Sequence, residues 1–580
     1  VPAVIRWVLP WALSGGSSRN ANPARWLIRS AERFPERIAI RTSTDEVSFG
    51  ELVAQTKALA AHLRSKGVIA GQRVAIVEVT GIDLVRKLFA CWWLGTTPAL
   101  FDENAPESLR SDHLKALRPE WIWVANELSP FETSSVDSCS IVPHSVEGAK
   151  SNDALQTSSY TPMSSYTTGL ILPTSGTEGY AKLCKISLGR LVLAGHAFGG
   201  VLLQLRSFDV IYCPLPLTHA TGVMVGLLPA IVHGNTVYLA KRFSATQFTD
   251  DVERSGATHL VYVGEMLRFV LAATSTSRAR LANVRTLVGN GLDVATWTRF
   301  EERFGRKRIV EFYGATELPA IVVNISGKPG AMGRVPLRHC SRFRVVKTNA
   351  DSDDKTRRSP DIEIRHECAP GELGELVVRM PKRRGLLLGA FEGYWENAHE
   401  ARAMLTQKSD ARSQYYRTGD WVYYDENDFF YFVDRIGDVW RSRGYNVSTS
   451  WVAEQLRQCS CVCDCMVTTV ALDYSPRRLA LAVVVPDESF SVATLSACIE
   501  RLPNYSRPSF VCLSKTLEHT SSFKIKRDAY RDGVFTPSVI REPLYLWDEK
   551  FVPFDEQRWS SFRERLCSFI AKEPASKDSS

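Results

Sequence analysis

The stretch Thr174-Ser175-Gly176-Thr177-Glu178-Gly179-Tyr180-Ala181-Lys182 follows the apolar run Leu170 to Leu172 and carries the densest set of anion-binding groups in the chain. Gly176 and Gly179 let the backbone turn tightly and come close to an anion, while Thr174, Ser175, Thr177 and the backbone N–H groups donate. Lys182 adds a positive point charge. The chemistry is phosphate binding, although the same composition also suits an ordinary surface turn. It is not the helix-starting loop that ends in Gly-Lys-Ser/Thr. A second piece, Glu311-Phe312-Tyr313-Gly314-Ala315-Thr316-Glu317, sets an aromatic ring at Tyr313 that can lie on a purine. Thr316 offers a hydroxyl to phosphate or carboxylate, and Glu317 a carboxylate able to hold Mg²⁺. In Tyr416-Arg417-Thr418-Gly419-Asp420, Asp420 can accept from both ribose hydroxyls, and in Asp434-Arg435-Ile436-Gly437-Asp438, Arg435 is a rigid donor fork for ribose or phosphate. Each piece alone fits a turn between surface strands.

The elements that must position these pieces alternate. Apolar spacing predicts helices over Asn22 to Phe34, Phe49 to Ser65 and Leu84 to Trp93, and strands over Ile38 to Arg41, Arg73 to Val77 and Leu170 to Leu172. The alternation resumes from Val210 to Tyr262, and the nucleotide-like piece at Glu311 follows a strand, Arg308 to Val310. This is the pattern of α/β layering. Beyond Asp434 to Gly437 come a helix, Ser450 to Gln458, and strands, Thr468 to Leu472 and Leu479 to Pro486, enough for a compact α+β unit. The expected fold is a large N-terminal multi-sheet α/β domain, residues 1–436, with a small C-terminal α+β lid, residues 437–580.

Composition excludes some classes. A chain of 580 residues needs more than one core, and its formal charge of +8 is too small and too spread for a nucleic-acid-binding stripe. The 13 cysteines follow no framework spacing, which suits a reducing compartment. Cys459, Cys461, Cys463 and Cys465 alternate, so a strand there would put all four on one face; with no histidine nearby, half-buried thiols are favoured over a zinc site. The apolar runs Leu191 to Leu203 and Val223 to Leu239 are flanked or broken by Arg190, Arg206, Pro229 and His233 and read as buried core, not membrane spans.

Taken in order, the four pieces resemble the adenylate-forming superfamily of acyl-CoA synthetases, luciferases and adenylation domains, from about Asn22 to Phe554. Cys213-Pro214-Leu215-Pro216-Leu217-Thr218-His219-Ala220, Tyr262-Val263-Gly264-Glu265, Val288-Gly289-Asn290-Gly291, Phe391-Glu392-Gly393-Tyr394, Gly444-Tyr445-Asn446-Val447-Ser448-Thr449 and Leu502-Pro503-Asn504-Tyr505-Ser506-Arg507-Pro508 are similar to its fatty acid transport protein and very-long-chain acyl-CoA synthetase branch. The closing Ser521-Ser522-Phe523-Lys524 stands where that branch has Gly-Thr-Phe-Lys.

The resemblance implies an enzyme, an AMP-forming acid–thiol ligase using ATP, Mg²⁺ and coenzyme A. A carboxylate attacks the α-phosphate to give acyl-AMP and pyrophosphate, and the coenzyme A sulfur then displaces AMP. It carries Lys524 over as the lysine that bridges carboxylate and α-phosphate, His219 as the acyl-pocket histidine, and Gly437 as the hinge of a rotating C-terminal domain. Its branch implies a hydrophobic, long-chain acid, peripheral membrane contact, and an intracellular place at a peroxisomal or endoplasmic reticulum surface or in the cytoplasm. Departures stand at Glu178 for Thr, Ala181 for Pro, Arg443 for Lys, Trp451 and Ala453 for acidic residues, and Tyr445 for Glu. They leave open a secondary-metabolism enzyme with a non-fatty acid, or an impaired acyl-binding relative.

Overall fold

In the computed structural model the described residues are 20–124, 140–142, 159–174, 182–273, 281–318, 320–347, 366–380, 392–395, 405–406, 414–436, 438–442, 445–472, 475–520, 525–527, 530, 543–548, 550–554 and 558–561. They form two compact units: Val1–Arg344 with Val378–Arg417 and Asn427–Phe430, and Val345–Val377 with Thr418–Glu426 and Tyr431–Ser580. The architecture is a large multi-sheet α/β region and a smaller C-terminal α+β region.

The first unit holds strands β1 (Ile38–Arg41), β2 (Glu46–Ser48), β3 (Arg73–Glu78), β4 (Thr97–Asp102), β5 (Trp121–Val124), β6 (Ser140–Val142), β7 (Thr168–Thr174), β8 (Lys182–Ser187), β9 (Val210–Cys213), β10 (Thr236–Leu239), β11 (His259–Val263), β12 (Thr286–Asn290), β13 (Arg308–Tyr313), β14 (Val322–Asn324) and β15 (Gly333–Arg334). One sheet runs β6-β5-β3-β4-β7-β8, and a second runs β15-β14-β13-β12-β11-β9-β10-β1-β2. From β13 to β1 every pair in the second sheet is parallel. Its strands read as nearly continuous apolar runs because both faces are covered.

The helices are α1 (Ala24–Arg33), α2 (Phe49–Ser65), α3 (Ile82–Leu94), α4 (Glu107–Leu117), α5 (Leu188–His196), α6 (Leu228–His233), α7 (Phe248–Ser255), α8 (Gly264–Ala273) and α9 (Val294–Phe304). Ser48 starts α2 through a capping box with Glu51, which fixes the boundary predicted from the sequence. The apolar runs are core, as expected, but not regular: α5 passes into a π-helix, Ala197–Leu203, and a second π-helix, Gly222–Leu227, feeds α6. No helix among the described residues is long and apolar enough to cross a membrane.

The second unit has a hairpin, Val439–Ser442 with Tyr445–Ser448, and a five-stranded sheet from Val462–Leu472 through Ser475–Pro486 and Phe510–Leu513 to Leu544–Asp548 and Lys550–Pro553. Helices Thr449–Arg457 and Val492–Glu500 contribute Val452, Leu456, Leu495 and Ile499 to its core. The cysteine alternation does not keep one face. The register shifts between Val462 and Asp464, and this bulge leaves Cys463 exposed while Cys465 is buried. All eleven described cysteines are free thiols.

Candidate active site

In a parallel sheet the loops leaving the carboxyl ends of the strands gather on one edge, where open α/β sheets bind ligands. Adjacent strands β9, β11, β12 and β13 end at Cys213, Val263, Asn290 and Tyr313. The loops after β9 and β13 therefore place His219 and the Tyr313–Glu317 segment on the same edge. The turn that presents His219 is tight: a Cβ on Gly222 would lie 2.3 Å from the Pro216 carbonyl oxygen. The His219 amide donates to Pro216 O at 3.1 Å, and Leu217 N donates to Thr80 Oγ1 at 3.0 Å. Tyr313, Thr316, Glu317 and His219 are all half-buried, open enough to meet a ligand.

The β7–β8 hairpin frames the segment expected from the sequence to bind phosphate. Thr174 pairs with Lys182 in register, and its hydroxyl donates to Lys182 O at 3.2 Å. Ser175, Gly176, Thr177 and Gly179 lie between them, outside the described residues. The segment Gly393–Trp395 lines the edge of β8, with Lys185 N donating to Gly393 O at 3.2 Å and Trp395 N to Leu183 O at 2.7 Å. Pairing with Cys184 directs Tyr394, whose hydroxyl donates to Glu317 Oε1 at 3.1 Å. The Lys182 ammonium stands 5.6 Å from the centre of the same ring. Burial and the neighbouring Glu317 carboxylate push the Tyr394 phenol well above its ordinary range, so it stays a donor. Two motifs separated by more than a hundred residues thus meet through one tyrosine.

Arg190, near the start of α5, closes the group. Its Nη2 donates to Thr316 O at 2.7 Å and to Leu318 O at 2.9 Å, so it clamps the backbone on both sides of Glu317. The side chain is buried, and Nη1 has no hydrogen-bond partner among the described residues. A guanidinium that pins the backbone on both sides of Glu317 sets the Thr316 hydroxyl and the Glu317 carboxylate in place, a pair that suits a polyanion carried with a cation. Glu317 fits Mg²⁺ chemically: it is a hard oxygen donor, oriented at one oxygen by Tyr394. Sequence reasoning missed Arg190 because a lone arginine opening an apolar helix has no motif. Tyr394 was visible only as part of a branch signature.

In the second unit, Gly419 adopts φ +71°, and its carbonyl accepts from Ile436 N at 2.8 Å. This contact lays Thr418–Asp420, part of the strand Tyr415–Tyr424, beside Arg435. Asp420 is buried and lies 3.3 Å from Arg435 Nε, whose side chain is half exposed. Thr418 Oγ1 accepts from Asp420 N at 3.1 Å. The two residues predicted to hold ribose are therefore paired with one another.

Next to them Asp434 accepts from Ser448 Oγ and Thr449 Oγ1, each at 2.9 Å, and from Ser450 N at 3.0 Å. Burial pushes the Asp434 carboxyl up while Arg527 pulls it down. Arg527 Nη1 reaches Asp438 Oδ2 at 2.8 Å and Thr449 Oγ1 at 3.2 Å. Sequence reasoning passed over Arg527, which stands three residues after Lys524. Lys524, Gly437 and Arg443 lie outside the described residues, and Trp451 is exposed.

Residues 27–395 match the model of a family described as AMP-binding enzyme. The chain belongs to the AMP-binding enzyme family. It is 31% identical over 445 residues to rat long-chain fatty acid transport protein 2, covering 75% of this chain and 70% of that protein. To mouse long-chain fatty acid transport protein 1 it is 33% identical over 403 residues, 68% of this chain. That match spans 61% of the mouse protein's length. The medium/long-chain-fatty-acid–CoA ligase FadD6 of Mycobacterium tuberculosis is 27% identical over 571 residues, 95% of this chain and 93% of its own. Among solved structures, an anthranilate CoA ligase, AuaEII, in complex with anthranoyl-AMP superposes with a TM-score of 0.73 at 20% identity, over 87% of this chain and 96% of its own. The o-succinylbenzoate coenzyme A synthetase of Bacillus subtilis in complex with AMP gives 0.69 at 21%, over 88% and 98%.

Proposed function

We propose that this chain is an AMP-forming acid–thiol ligase: it activates a carboxylic acid with ATP as an acyl-adenylate and passes the acyl group to coenzyme A. The observation that carries this reading is the run of contacts from Lys182 to the Tyr394 ring, from the Tyr394 hydroxyl to Glu317, and from Arg190 to the backbone carbonyls of Thr316 and Leu318 on either side of Glu317. In the first step a carboxylate oxygen bonds to the α-phosphorus and the bond to pyrophosphate breaks. Negative charge builds on phosphoryl oxygens, and positive groups already in place stabilise it without reorganising. Lys182 and the loop before it hold phosphate, Thr316 donates to the reacting phosphoryl or carboxylate oxygen, and Glu317 holds Mg²⁺, which would neutralise phosphate charge when bound. Tyr313 supports the purine, while Asp420 and Arg435 exchange their mutual contact for the ribose. Lys524 brings carboxylate and phosphate together. In the second step the coenzyme A sulfur bonds to the acyl carbon and AMP leaves. Residues 437–580 act as the piece that turns between steps about Gly437.

Two readings of the acid have support. A specialised, non-fatty acid is favoured by the likeness in fold to ligases of o-succinylbenzoate and anthranilate and by the departures at Glu178, Arg443 and Trp451. A long-chain acid, with His219 at the pocket, is supported by sequence identity to the long-chain fatty acid transport proteins, and association with a peroxisomal or endoplasmic reticulum membrane surface is part of that second proposal. ATP–pyrophosphate exchange across aromatic, short branched and long-chain acids tests both. Exchange with an aromatic acid but not with palmitate favours the first. No exchange with any acid, together with no binding of ATP, rejects the ligase.

A further inference from the structure

Tyr262, Gly289 and Glu311 are register partners across three neighbouring parallel strands, β11, β12 and β13. Registered residues point to the same face, and strands stand about 4.8 Å apart, so Tyr262 and Glu311 are separated by roughly 10 Å of backbone. The tyrosine bridges that gap because the middle position has no side chain. A Cβ on Gly289 would lie 2.2 Å from Tyr262 O and 2.7 Å from its ring Cγ. The Tyr262 hydroxyl donates to Glu311 Oε1, and Leu292 N donates to Oε2 at 3.4 Å. The loops after β11 and β12 are pressed together too, since a Cβ on Gly264 would sit 1.9 Å from the Gly291 carbonyl oxygen.

Tyr262 and Glu311 are both buried, at 1% and 6% exposure. A buried carboxyl is costly, and a sheet needs none to hold its strands. This one joins three consecutive strand ends directly below the edge that presents Tyr313, two residues beyond Glu311. It also holds the backbone of the turn after β12. We propose that the Tyr262–Glu311 pair is a positioning element for the nucleotide base, setting the Asn290–Leu292 turn at a fixed height against Tyr313. The inference rests on the adenylate-forming reading and names residues that reading does not use.

The groups facing Glu311 are Tyr262 from β11 and Asp293 from the turn before α9. Burial, helped by Asp293, lifts its carboxyl to about 8, against the hydrogen bonds of Tyr262 and of the backbone at Leu292 and Gly291. Glu311 is therefore neutral at pH 7. As pH rises through about 8 a buried charge appears beneath the turn, and the turn must shift to solvate it.

The test is the KM for ATP in pyrophosphate exchange between pH 7 and 9, with thermal unfolding confirming that each variant folds. Tyr262→Phe should raise the ATP KM about tenfold with kcat changed far less, since it removes one buried hydrogen bond that holds the turn but touches no reacting atom. In the wild type the ATP KM should climb as pH passes about 8. In Glu311→Gln, whatever its value at pH 7, it should stay flat to pH 9. An unchanged KM in Tyr262→Phe, or the same alkaline climb in Glu311→Gln, overturns the proposal. If the wild type shows no exchange with any acid, AMP affinity by calorimetry decides the positioning role. A tenfold weaker affinity in Tyr262→Phe supports it; equal affinity, or no AMP binding by the wild type, overturns it.

Discussion

Arg190→Ala removes a buried guanidinium whose Nη2 makes two short hydrogen bonds, to Thr316 O at 2.7 Å and Leu318 O at 2.9 Å. Hydrogen bonds from a charged donor are worth roughly 1.5–3 kcal/mol each, so the gross loss is about 3–6 kcal/mol. Part is returned, because the variant no longer buries a cation or the donor Nη1, which has no partner among the described residues. The net loss is about 2–3 kcal/mol. The two carbonyls flank Glu317, so the loss falls on the loop that places Thr316 and Glu317. If that loop is preorganised for the adenylation transition state, 2–3 kcal/mol becomes a fall of roughly 30- to 200-fold in kcat/KM for pyrophosphate exchange. Arg190→Lys keeps the charge but loses the fork, and one ammonium cannot match both carbonyls in the same geometry. It should recover part of the activity and not all. The assay is exchange kinetics beside thermal unfolding for both variants. A lowered melting temperature with exchange at the wild-type rate would show that Arg190 only stabilises the fold, and the argument for preorganisation would fail.

Asp420→Ala should weaken ATP binding about 10- to 100-fold, because the ribose loses a charged acceptor and Arg435 its partner; unchanged affinity by titration rejects the ribose role. The Asp420–Arg435 pair itself, with Arg435 half exposed, is worth no more than about 1 kcal/mol, so the melting temperature should barely move. Lys524→Ala should abolish acyl-AMP formation yet still convert supplied acyl-AMP and coenzyme A to the thioester, and equal loss of both steps in a folded variant contradicts that division. Burial lowers His113, His196 and His233 to about 4. Each is neutral in the fold and takes up a proton on unfolding below pH 6.5, so stability is intact above 6.5 and lost as pH falls towards 4. The effect is on the order of 2–3 kcal/mol per histidine. Urea midpoints measured across that window should drop less steeply in a His113→Gln/His196→Asn double variant, and an identical slope excludes these histidines as the cause.

What was legible in the sequence was what is local. β1 and α2 fall on the predicted residues because apolar spacing is read within one element, and in the structure the Ser48–Glu51 capping box sets the start of α2. The π-helical turns were not legible, since Leu191 to Leu203, interrupted by Gly195, His196, Gly199 and Gly200, carries no local signal that separates a π-helix from an α-helix. Their cause is packing between distant segments: a Cβ on Gly195 would come 2.8 Å from Val232 Cγ2, and one on Gly199 2.4 Å from His233 Cδ2. The cysteine face failed for a similar reason, because the bulge at Val462–Asp464 depends on the partner strand. The candidate site divides along the same line. Thr174, Lys182, Tyr313, Thr316, Glu317, Asp420 and Arg435 could be named because each belongs to a short run whose residue types suggest a reaction. Arg190, Tyr262, Glu311 and Arg527 gain meaning only from register or from a contact dozens of residues away. Arg190 meets Thr316 across 126 positions, and Tyr262 meets Glu311 across 49. The groups that would touch the nucleotide can be named from a motif alone, whereas a supporting role cannot: Tyr262 and Glu311 stand inside quoted runs, yet only the register shows that they pair. In a parallel sheet those supports must come from neighbouring strands, which are far apart in sequence because each crossover inserts a helix. Substitutions at the supports should therefore shift KM, pH dependence or preorganisation while every group proposed to touch the nucleotide remains in the chain.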